Sequence, residues 1–401
     1  MIQLISGGGI QVANRILGRV QATQRSSQPR PAVTFFGGIH GNEPSGVYAL
    51  ERLLEKLEPL RGELAGDVLC VAGNLPALEA NQRFIRRDLN RIWTLDQIAR
   101  LREKGPVADP QAPEEPPEFT QQQEILQIID PLLESPPGPL YFIDLHTTSA
   151  PSVPFITLND QLANRRFALQ FPVPAVLGLE EYLAGPMLSF LNDFGHVAIG
   201  FEAGQHVDPR SIDYHESFAW LTLVHTGVLA LDHVPEYGQH LDRLKVAANG
   251  VRGIFEVLYR HPVEAKDEFE MEPGFLNFQP IKKGARVAHD RRGEIPSPRS
   301  GRIFMPLYQS RGNDGFFLVR RIPRWALSLS RLLRQIHTEN LLVWLPGVSH
   351  APDQPDTLVV NRRIARFLAN EIFHLLGYRR KQIEGDVLVF SRREIPPRQA
   401  D

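Results

Sequence analysis

Residues 32–57 read AVTFFGGIHGNEPSGVYALERLLEKL, and this stretch decides the fold class. It opens with a short apolar run that ends in two glycines, which is typical of a buried strand. After a turn that ends at Pro44, apolar residues recur at helical spacing, and proline suits the first turn of a helix. The stretch therefore predicts a strand–turn–helix unit with His40 and Glu43 in the turn.

The same alternation continues through about the first 240 residues. Apolar runs predict further buried strands at 67–73, 140–146, 153–158 and 196–202, and helical spacing predicts helices at 119–133, 161–171 and 211–231. Strands that alternate with helices are typical of an α/β domain with a mostly parallel or mixed sheet flanked by helices. We therefore predict a first domain over residues 1–240.

The pattern changes after residue 240. Short runs bracketed by glycines predict a small β-rich domain over 241–325. Residues 326–401 return to mixed helix and strand and form a predicted C-terminal extension, with an amphipathic helix over 357–377. Five prolines in 104–118 indicate an exposed loop, which we interpret as an insertion rather than as a cover over a site.

The composition excludes several classes of protein. Apolar residues make up 42% and charged residues 22%, as in a globular protein, and the net charge of -2 shows no nucleic-acid surface. The single cysteine, Cys70, rules out an internal disulfide framework and is expected in a buried strand. No apolar run reaches the ~18 residues of a membrane span, and no signal-peptide pattern is present. We therefore expect a cytoplasmic protein without membrane or nucleic-acid partners.

His40 and Glu43 form an H-x-x-E pair, which is a weak signal by itself. About one such pair is expected by chance among 13 histidines, and HPVE at 261–264 is a second, which we interpret as surface. However, His40 follows a predicted buried strand, and open α/β sheets place ligand sites at the carboxyl ends of strands. Another predicted strand ends in DLH and brings His146 to the same edge.

Two histidines and one carboxylate with an open fourth position are the ligand set of a hydrolytic zinc site. We therefore predict one Zn²⁺ per chain, held by His40, Glu43 and His146. The competing interpretation is that His146 ends its strand and faces solvent. Asp144 lies two residues before His146, on the same face of the strand, where it can fix the tautomer of a zinc-binding histidine. It could equally be a buried aspartate bonded to loop backbone.

A third strand end carries Glu202, in GFEAGQH. An apolar strand end should partly desolvate this carboxylate and raise its pKa toward the range of a general base. The segment NQRFIRRDLNRIW, residues 81–93, contains four arginines and Asn90. Arginine side chains bind carboxylates through two hydrogen bonds, so this segment could form an anion pocket, or it could be a solvated basic helix face.

Four motifs then occur in a familiar order. HGNE, R-x-x-x-x-D-L-N-R, DLH and E-x-G resemble the succinylglutamate desuccinylase/aspartoacylase family, which is related to the zinc carboxypeptidases. The resemblance covers about residues 30–235 and extends more loosely to 320. It implies a zinc-carboxypeptidase-like fold and the zinc ligands His40, Glu43 and His146.

The resemblance also implies roles for residues around the metal. Glu202 corresponds to the glutamate that activates water and then protonates the leaving amine, and Arg83 to the arginine that polarises the scissile carbonyl. Asn90 and Arg91 correspond to the pair that binds the free α-carboxylate of the substrate. Tyr308 lies where some members bring a tyrosine to the site.

One position departs from the family pattern. Aspartoacylases carry an arginine about ten residues before the catalytic glutamate, where it binds the side-chain carboxylate of the substrate, and this chain has Asn192 there. This departure argues against N-acetylaspartate as the substrate, unless Arg165, Arg166 or Arg210 supplies the arginine from elsewhere in the chain. His196 and His206 flank Glu202 and could contact the substrate, but we interpret both as hydrogen-bonded structural histidines.

Together these motifs predict a zinc-dependent amidohydrolase that deacylates an N-acyl amino acid by metal-activated water, with Glu202 as general base. The expected partner is this small substrate, and the resemblance allows a homo-oligomer. The first alternative is a zinc metallocarboxypeptidase that cleaves C-terminal peptide bonds. The second is a non-catalytic zinc-binding module.

Overall fold

A computed structural model describes residues 2–4, 9–23, 29–104, 115–309, 312–335, 347–351, 354–361, 378–384 and 387–392. The strands in these ranges are, in chain order, β1 (Ile2–Leu4), β2 (Ile10–Val12), β3 (Ile16–Val20), β4 (Ala32–Gly37), β5 (Asp67–Ala72), β6 (Leu140–Thr148), β7 (Phe155–Leu158), β8 (Ala175–Leu177), β9 (Val197–Gln205), β10 (Ile254–Pro262), β11 (Glu270–Met271), β12 (Pro280–Ile281), β13 (Arg286–Asp290), β14 (Gly293–Pro296), β15 (Gly301–Phe304), β16 (Asp314–Arg321), β17 (Val348–Ala351), β18 (Gln354–Asn361), β19 (Tyr378–Glu384) and β20 (Val387–Arg392).

The helices are described in the same way. They are α1 (Ser45–Leu57), α2 (Leu75–Ala80), α3 (Leu95–Lys104), α4 (Pro117–Glu134), α5 (Leu162–Ala168), α6 (Met187–Asn192), α7 (Arg210–His225), α8 (Tyr237–Ala247) and α9 (Arg324–Gln335). None of the described helices is both long enough and apolar enough to cross a membrane.

A large mixed sheet forms the centre of the molecule, with strand order β12-β15-β16-β10-β8-β7-β9-β6-β4-β5-β3. Strands β5, β4, β6 and β9 run parallel to one another, and β7 is antiparallel to β9. The predicted α/β class, with a mixed sheet flanked by helices and followed by a β-rich part, is therefore confirmed.

Strand alternation assigns each side chain of the central strands to one of two cores. On β6, Ile143 and Leu145 pack into the core that contains α1, α7 and α8. Phe142 packs into the core that contains α3, α4 and α6. Asp144 and His146 lie at the same alternation as Phe142, so they face the α3, α4 and α6 side. Cys70 is buried in β5, as expected.

The β-rich part continues the large sheet. Strands β10, β16, β15 and β12 extend it antiparallel to one another, while β11, β13 and β14 form a separate small sheet. The boundary that we predicted at 240/241 falls inside α8, and the division into three domains stays a prediction.

The C-terminal extension contains an antiparallel sheet of order β17-β18-β20-β19. The predicted helix over 357–377 is wrong at its start, because residues 354–361 form β18, which pairs with β17 and β20. Thr357, Leu358 and Val360 of this strand are buried. Its β-branched residues fit a pleated strand, although its apolar residues also match helical spacing. Residues 362–377 of that predicted helix, and residues 105–114 of the predicted loop, lie outside the described residues.

Candidate metal centre

The predicted site residues meet at the carboxyl ends of the parallel strands. His40 lies in the turn after β4, His146 lies near the end of β6, and Glu202 lies on β9. The Cα atoms of His146 and Glu202 are direct partners across β6 and β9. Strand alternation then directs both side chains to the same face of the sheet.

The turn that carries His40 depends on two glycines. Gly38 has a φ of +73°, a conformation that an L side chain rarely adopts. A Cβ atom on Gly41 would collide with the backbone of Ala77 at α2. The amide of Gly41 also donates to the carbonyl of Arg83 at 3.2 Å, which ties the turn to the arginine-rich segment.

His40, Glu43 and His146 form one compact group. Their exposed fractions are 4%, 2% and 6%, and their ligand atoms lie within 4.8 Å of one another. The Nδ1 atoms of His40 and His146 lie 3.0 Å from Glu43 Oε1 and Oε2 respectively. Both imidazoles therefore direct the same nitrogen toward one carboxylate, and the group could hold a metal ion.

A second carboxylate orients each imidazole from behind. His40 Nε2 lies 3.1 Å from Asp88 Oδ1, and His146 Nε2 lies 2.7 Å from Asp144 Oδ2. A histidine that donates its Nε2 proton to a carboxylate keeps a lone pair on Nδ1, which is the form that binds a metal. The donor set therefore fits a divalent ion such as zinc.

In the metal-free protein, electrostatics favour the charged forms of Glu43 and His146, and a bound metal ion would take the place of the proton on His146 Nδ1. Burial alone would raise the pKa of Glu43, but the charges and hydrogen bonds of the two imidazoles lower it well below its usual range. Burial would lower the pKa of His146, but Asp144 and Glu43 raise it well above its usual range. Burial raises the pKa of Glu202 to about 8. Among the described residues, Glu202 Oε2 has no hydrogen-bond partner.

Arg83 lies beside the metal-binding group. Its guanidinium donates to Asp88 Oδ2 at 3.0 Å, and its Nη1 lies 3.6 Å from Glu43 Oε1. Burial would lower the pKa of Arg83, but these carboxylates raise it, so the guanidinium stays charged.

Asn90 and Arg91 lie in one turn of 3-10 helix, Leu89–Arg91, and Asp88 caps this turn by accepting from the Asn90 amide at 2.9 Å. Asn90 Oδ1 accepts from the backbone amide of Met187 at 2.9 Å. The side-chain oxygen of Asn90 therefore accepts from the backbone, and the side-chain NH2 group of Asn90 can donate to a ligand. Arg91 donates to the Asn90 carbonyl at 2.9 Å, and its Nη2 lies 3.7 Å from Asp314 Oδ2.

The arginine-rich segment forms a loop that is anchored to the fold, and it does not form a basic helix. The carboxylate of Glu118, in the first turn of α4, accepts from the backbone amides of Ile85, Arg86 and Arg87 at 2.7, 3.2 and 3.2 Å. Glu118 is fully buried, so this contact fixes the loop to the fold. All four arginines of the segment line one cavity.

That cavity has a volume of about 570 Å³, which is within the usual range for small-molecule sites. Its lining includes the following predicted residues: His40, Glu43, Arg83, Asn90, Arg91, His146 and Glu202. Asp144 lies behind His146, as predicted. The structure does not bring Tyr308 to the site: its hydroxyl donates to the Glu272 carbonyl at 2.7 Å and accepts from the Phe275 amide at 2.9 Å.

The residue after Tyr308 reaches the cavity instead. Gln309 Oε1 accepts from Asn42 Nδ2 at 3.2 Å and lies 3.3 Å from His206 Nε2. His206 also lines the cavity, with its Nδ1 at 2.8 Å from Thr147 Oγ1. His206 is therefore bonded within the fold, as we interpreted it, and it also forms part of the cavity wall.

Sequence reasoning missed three residues that position the site. Asp88 stood inside the quoted DLNR motif, so its spacing before Asn90 was a usable signal. Glu118 gave no signal, because its partners are backbone amides more than 30 residues away. His215 donates from Nε2 to the His146 carbonyl at 3.0 Å, and burial lowers its pKa to about 4, so it is neutral.

Residues 29–219 match the family model described as the succinylglutamate desuccinylase/aspartoacylase catalytic domain. This segment is a member of the succinylglutamate desuccinylase/aspartoacylase family. The matched range contains the whole metal-binding group, together with Arg83, Asn90, Arg91 and Glu202.

Solved structures of this family share the fold. A succinylglutamate desuccinylase/aspartoacylase from Rhodobacter sphaeroides has a TM-score of 0.52 and 19% identity, and covers 73% of this chain and 86% of its own. A succinylglutamate desuccinylase from Chromobacterium violaceum has a TM-score of 0.52 and 17% identity, and covers 80% of this chain and 94% of its own. At these identities the likeness shows the fold alone.

Curated relatives match over shorter segments. A succinylglutamate desuccinylase of Erwinia tasmaniensis is 40% identical over 79 residues, which are 19% of this chain and 23% of that protein. An N-acyl-aromatic-L-amino acid amidohydrolase (carboxylate-forming) of Rattus norvegicus is 33% identical over 125 residues, which are 31% of this chain and 36% of that protein. The chain thus spans well under half the length of either relative, so the activity has to be argued from the site.

The matched segment departs from the aspartoacylase pattern at Asn192, as the sequence indicated. Asn192 is fully buried and does not line the cavity. Its Nδ2 donates to the Leu188 carbonyl at 2.6 Å and to the Ala198 carbonyl at 3.1 Å, and its Oδ1 accepts from Asn164 at 2.5 Å. The polar atoms of this side chain are therefore hydrogen-bonded within the fold.

Proposed function

We propose that this chain is a zinc-dependent amidohydrolase that removes the acyl group from an N-acyl amino acid. The observation that carries the proposal is the convergence of His40, Glu43 and His146, with both Nδ1 atoms directed at one carboxylate, beside Glu202 in one cavity. His40, Glu43 and His146 would hold one zinc ion. When bound, zinc supplies a Lewis acid that polarises a carbonyl and lowers the pKa of water.

Glu202 is the proposed general base and acid. Its carboxylate takes a proton from the attacking water and later donates it to the departing amine nitrogen. A pKa of about 8 in the metal-free protein suits this exchange, because the group can hold and release a proton near neutral pH. Burial of the carboxylate at the strand end supplies this shift.

Arg83 and the 90–91 pair are proposed to bind the substrate. The Arg83 guanidinium donates to the oxygen of the acyl carbonyl as negative charge develops there. The amide group of Asn90 and the guanidinium of Arg91 bind the free α-carboxylate, since both are donors at the cavity. The two contacts fix the position of the scissile bond between them.

The cavity wall favours a small substrate over a peptide. Gln309, Asp314 and Phe317, from the β-rich part, line the same cavity as the metal-binding group. We take this added wall to favour a small substrate, because a carboxypeptidase needs an open cleft for the rest of its peptide. A non-catalytic zinc module is also disfavoured, because it has no use for Arg83 and Glu202.

The test combines metal content with hydrolysis. Purified protein should contain about one zinc per chain and should release amine from N-acyl amino acids but not from peptides. Glu43→Gln should lose both the metal and the activity. The matched control is Glu264→Gln in the second H-x-x-E pair, where the glutamate is 68% exposed and caps a turn. Zinc without any hydrolysis would support the binding module, and peptide cleavage would support the carboxypeptidase.

A further inference from the structure

We infer that the amino-acid side chain of the substrate is apolar and carries no second carboxylate. This inference rests on the proposed function and specifies the substrate of the same site. It comes from the chemistry of the wall next to Asn90 and Arg91.

The wall beside these two residues is formed by residues 179–189. The Met187 amide donates to Asn90 Oδ1 at 2.9 Å, and the Trp93 amide donates to the Gly185 carbonyl at 3.0 Å. The segment therefore lies directly against the proposed α-carboxylate site. In an amino acid the side chain branches from the carbon that carries the α-carboxylate, so we place it beside this wall.

The wall is mostly apolar. A Cβ atom on Gly200, two residues before Glu202, would lie 3.3 Å from Leu188 Cδ1, which places Leu188 alongside the strand of the general base. The apolar side chains that line the cavity from this wall and its surroundings are Leu158, Leu179, Leu183, Pro186, Leu188, Met305, Leu307 and Phe317. These side chains favour an apolar group and give no hydrogen bonds to a carboxylate, while Asn159 and Ser189, which also line the cavity, are hydrogen-bonded to each other at 3.1 Å.

No cation is available on this wall for a second carboxylate. Asn192, the residue at the aspartoacylase arginine position, is bonded within the fold and does not reach the cavity. Among the described residues that line the cavity, lysines are absent and the arginines all belong to residues 83–91.

Each of those arginines either has a partner already or is exposed to solvent. Arg83 is paired with Asp88, and Arg91 is assigned to the α-carboxylate. Arg86 and Arg87 are exposed, so a carboxylate that meets them stays in solvent. An acidic residue of this wall, Glu180, also lines the cavity and would repel a second substrate carboxylate.

The first experiment is a matched substrate panel. N-acetyl-L-leucine and N-acetyl-L-phenylalanine should show kcat/KM values at least about 100-fold above N-acetyl-L-aspartate and N-acetyl-L-glutamate, because a buried carboxylate without a partner is strongly rejected. Higher kcat/KM for the acidic substrates would overturn the inference and leave the proposed amidohydrolase intact.

A binding measurement separates this inference from the proposed function. Zinc-loaded Glu202→Gln protein should bind N-acetyl-L-leucine more tightly than N-acetyl-L-aspartate in calorimetry. If wild-type protein hydrolyses nothing while this preference persists, the proposed function fails and the inference stands. Tighter binding of the aspartate derivative, or binding of neither, overturns the inference.

A variant tests the wall directly. Leu188→Arg should raise kcat/KM for N-acetyl-L-aspartate relative to N-acetyl-L-leucine by at least about 10-fold, because it supplies the missing cation. Leu169→Arg, at a position that is 59% exposed and outside the cavity, should leave this ratio unchanged. If Leu188→Arg folds and its ratio equals that of Leu169→Arg, the wall does not select the side chain.

Discussion

Individual side chains around the metal-binding group have separable tasks, and Arg83 can be tested first. Loss of one donor to a developing oxyanion typically costs roughly 10²–10³ in rate. We expect Arg83→Ala to lower kcat/KM by about that factor while zinc content stays near one per chain. Arg210→Ala, whose side chain is 71% exposed, is the control. Full activity in Arg83→Ala would remove its proposed role.

Asp88 orients an imidazole that faces the proposed ion. Removing such a carboxylate partner typically weakens metal binding about 10–100-fold. We expect Asp88→Asn to lower zinc affinity by this factor, measured by competition with a chelator. Asp130→Asn, on the far end of α4 where it pairs with Arg102, should bind zinc as wild type does. Equal affinities in both variants would show that His40 is oriented by other contacts.

Glu202 should make the metal-free protein less stable as the pH rises. Its folded pKa of about 8 lies above the unfolded value of about 4.3. The folded state thus binds this proton more tightly, and the stabilisation, present below about pH 4.3, is lost as the pH rises through 8.

We therefore expect the free energy of unfolding of metal-free wild type to fall, relative to Glu202→Gln, between about pH 5 and 9. The relative change should be on the order of a few kcal/mol. Urea titrations of both chelator-treated proteins at pH 5, 7 and 9 measure it. If the two proteins keep a constant difference across this range, the carboxylate does not titrate as burial requires.

Among the elements, α4 holds the arginine-rich loop, which we propose binds the substrate, through one side chain. Glu118 accepts three backbone amides of residues 85–87, and unsatisfied buried amides cost about 1–3 kcal/mol each. We expect Glu118→Ala to raise KM several-fold and to lower the melting temperature. Glu134→Ala, at the exposed C-terminal end of the same helix, should change neither. An unchanged KM in Glu118→Ala would mean that the loop keeps its shape without α4.

Local sequence predicted the central elements well, because each has a strong period of its own. The apolar runs of β4, β5, β6 and β9 are each about as long as one strand, and the amphipathic pattern of α1 begins at a proline. Strand β18 was mistaken for part of a helix, because its apolar residues fit both periods. Only its pairing with β17 and β20 decides between them.

At the scale of the whole molecule, α9 joins the C-terminal extension to the first part of the chain. Arg334 is buried, and its guanidinium donates to Asp160 Oδ2 and to the Asp160 carbonyl, each at 3.0 Å. Arg165 binds the other oxygen of Asp160. Asp160 follows Asn159, which lines the cavity, so this buried ion pair braces the cavity wall from behind.

Breaking a buried ion pair by removing one partner costs about 3–5 kcal/mol. We expect Arg334→Met to lower the free energy of unfolding by roughly that amount, measured by urea denaturation. Arg331→Met, exposed on the same helix, should lower it by less than about 0.5 kcal/mol. Equal losses in the two variants would show that α9 does not depend on Asp160 for docking.

The cytoplasmic location and a homo-oligomer stay predictions.

The sequence by itself determined which side chains stand at the strand ends. The alternation within β6 and β9 set the faces of Asp144, His146 and Glu202, and the glycine-bounded turn set His40 and Glu43. These features depend on local backbone geometry, which neighbouring residues control, so a short stretch of sequence is sufficient to predict them.

The tertiary structure alone decided which distant groups complete the site. Glu118 anchors the arginine-rich loop, and Asn192 is hydrogen-bonded to Asn164. Tyr308 forms its hydrogen bonds outside the cavity, and Gln309 lines the cavity instead. These outcomes depend on contacts between residues far apart in the chain. Such contacts follow from how whole elements pack, and no period or motif within a segment encodes them.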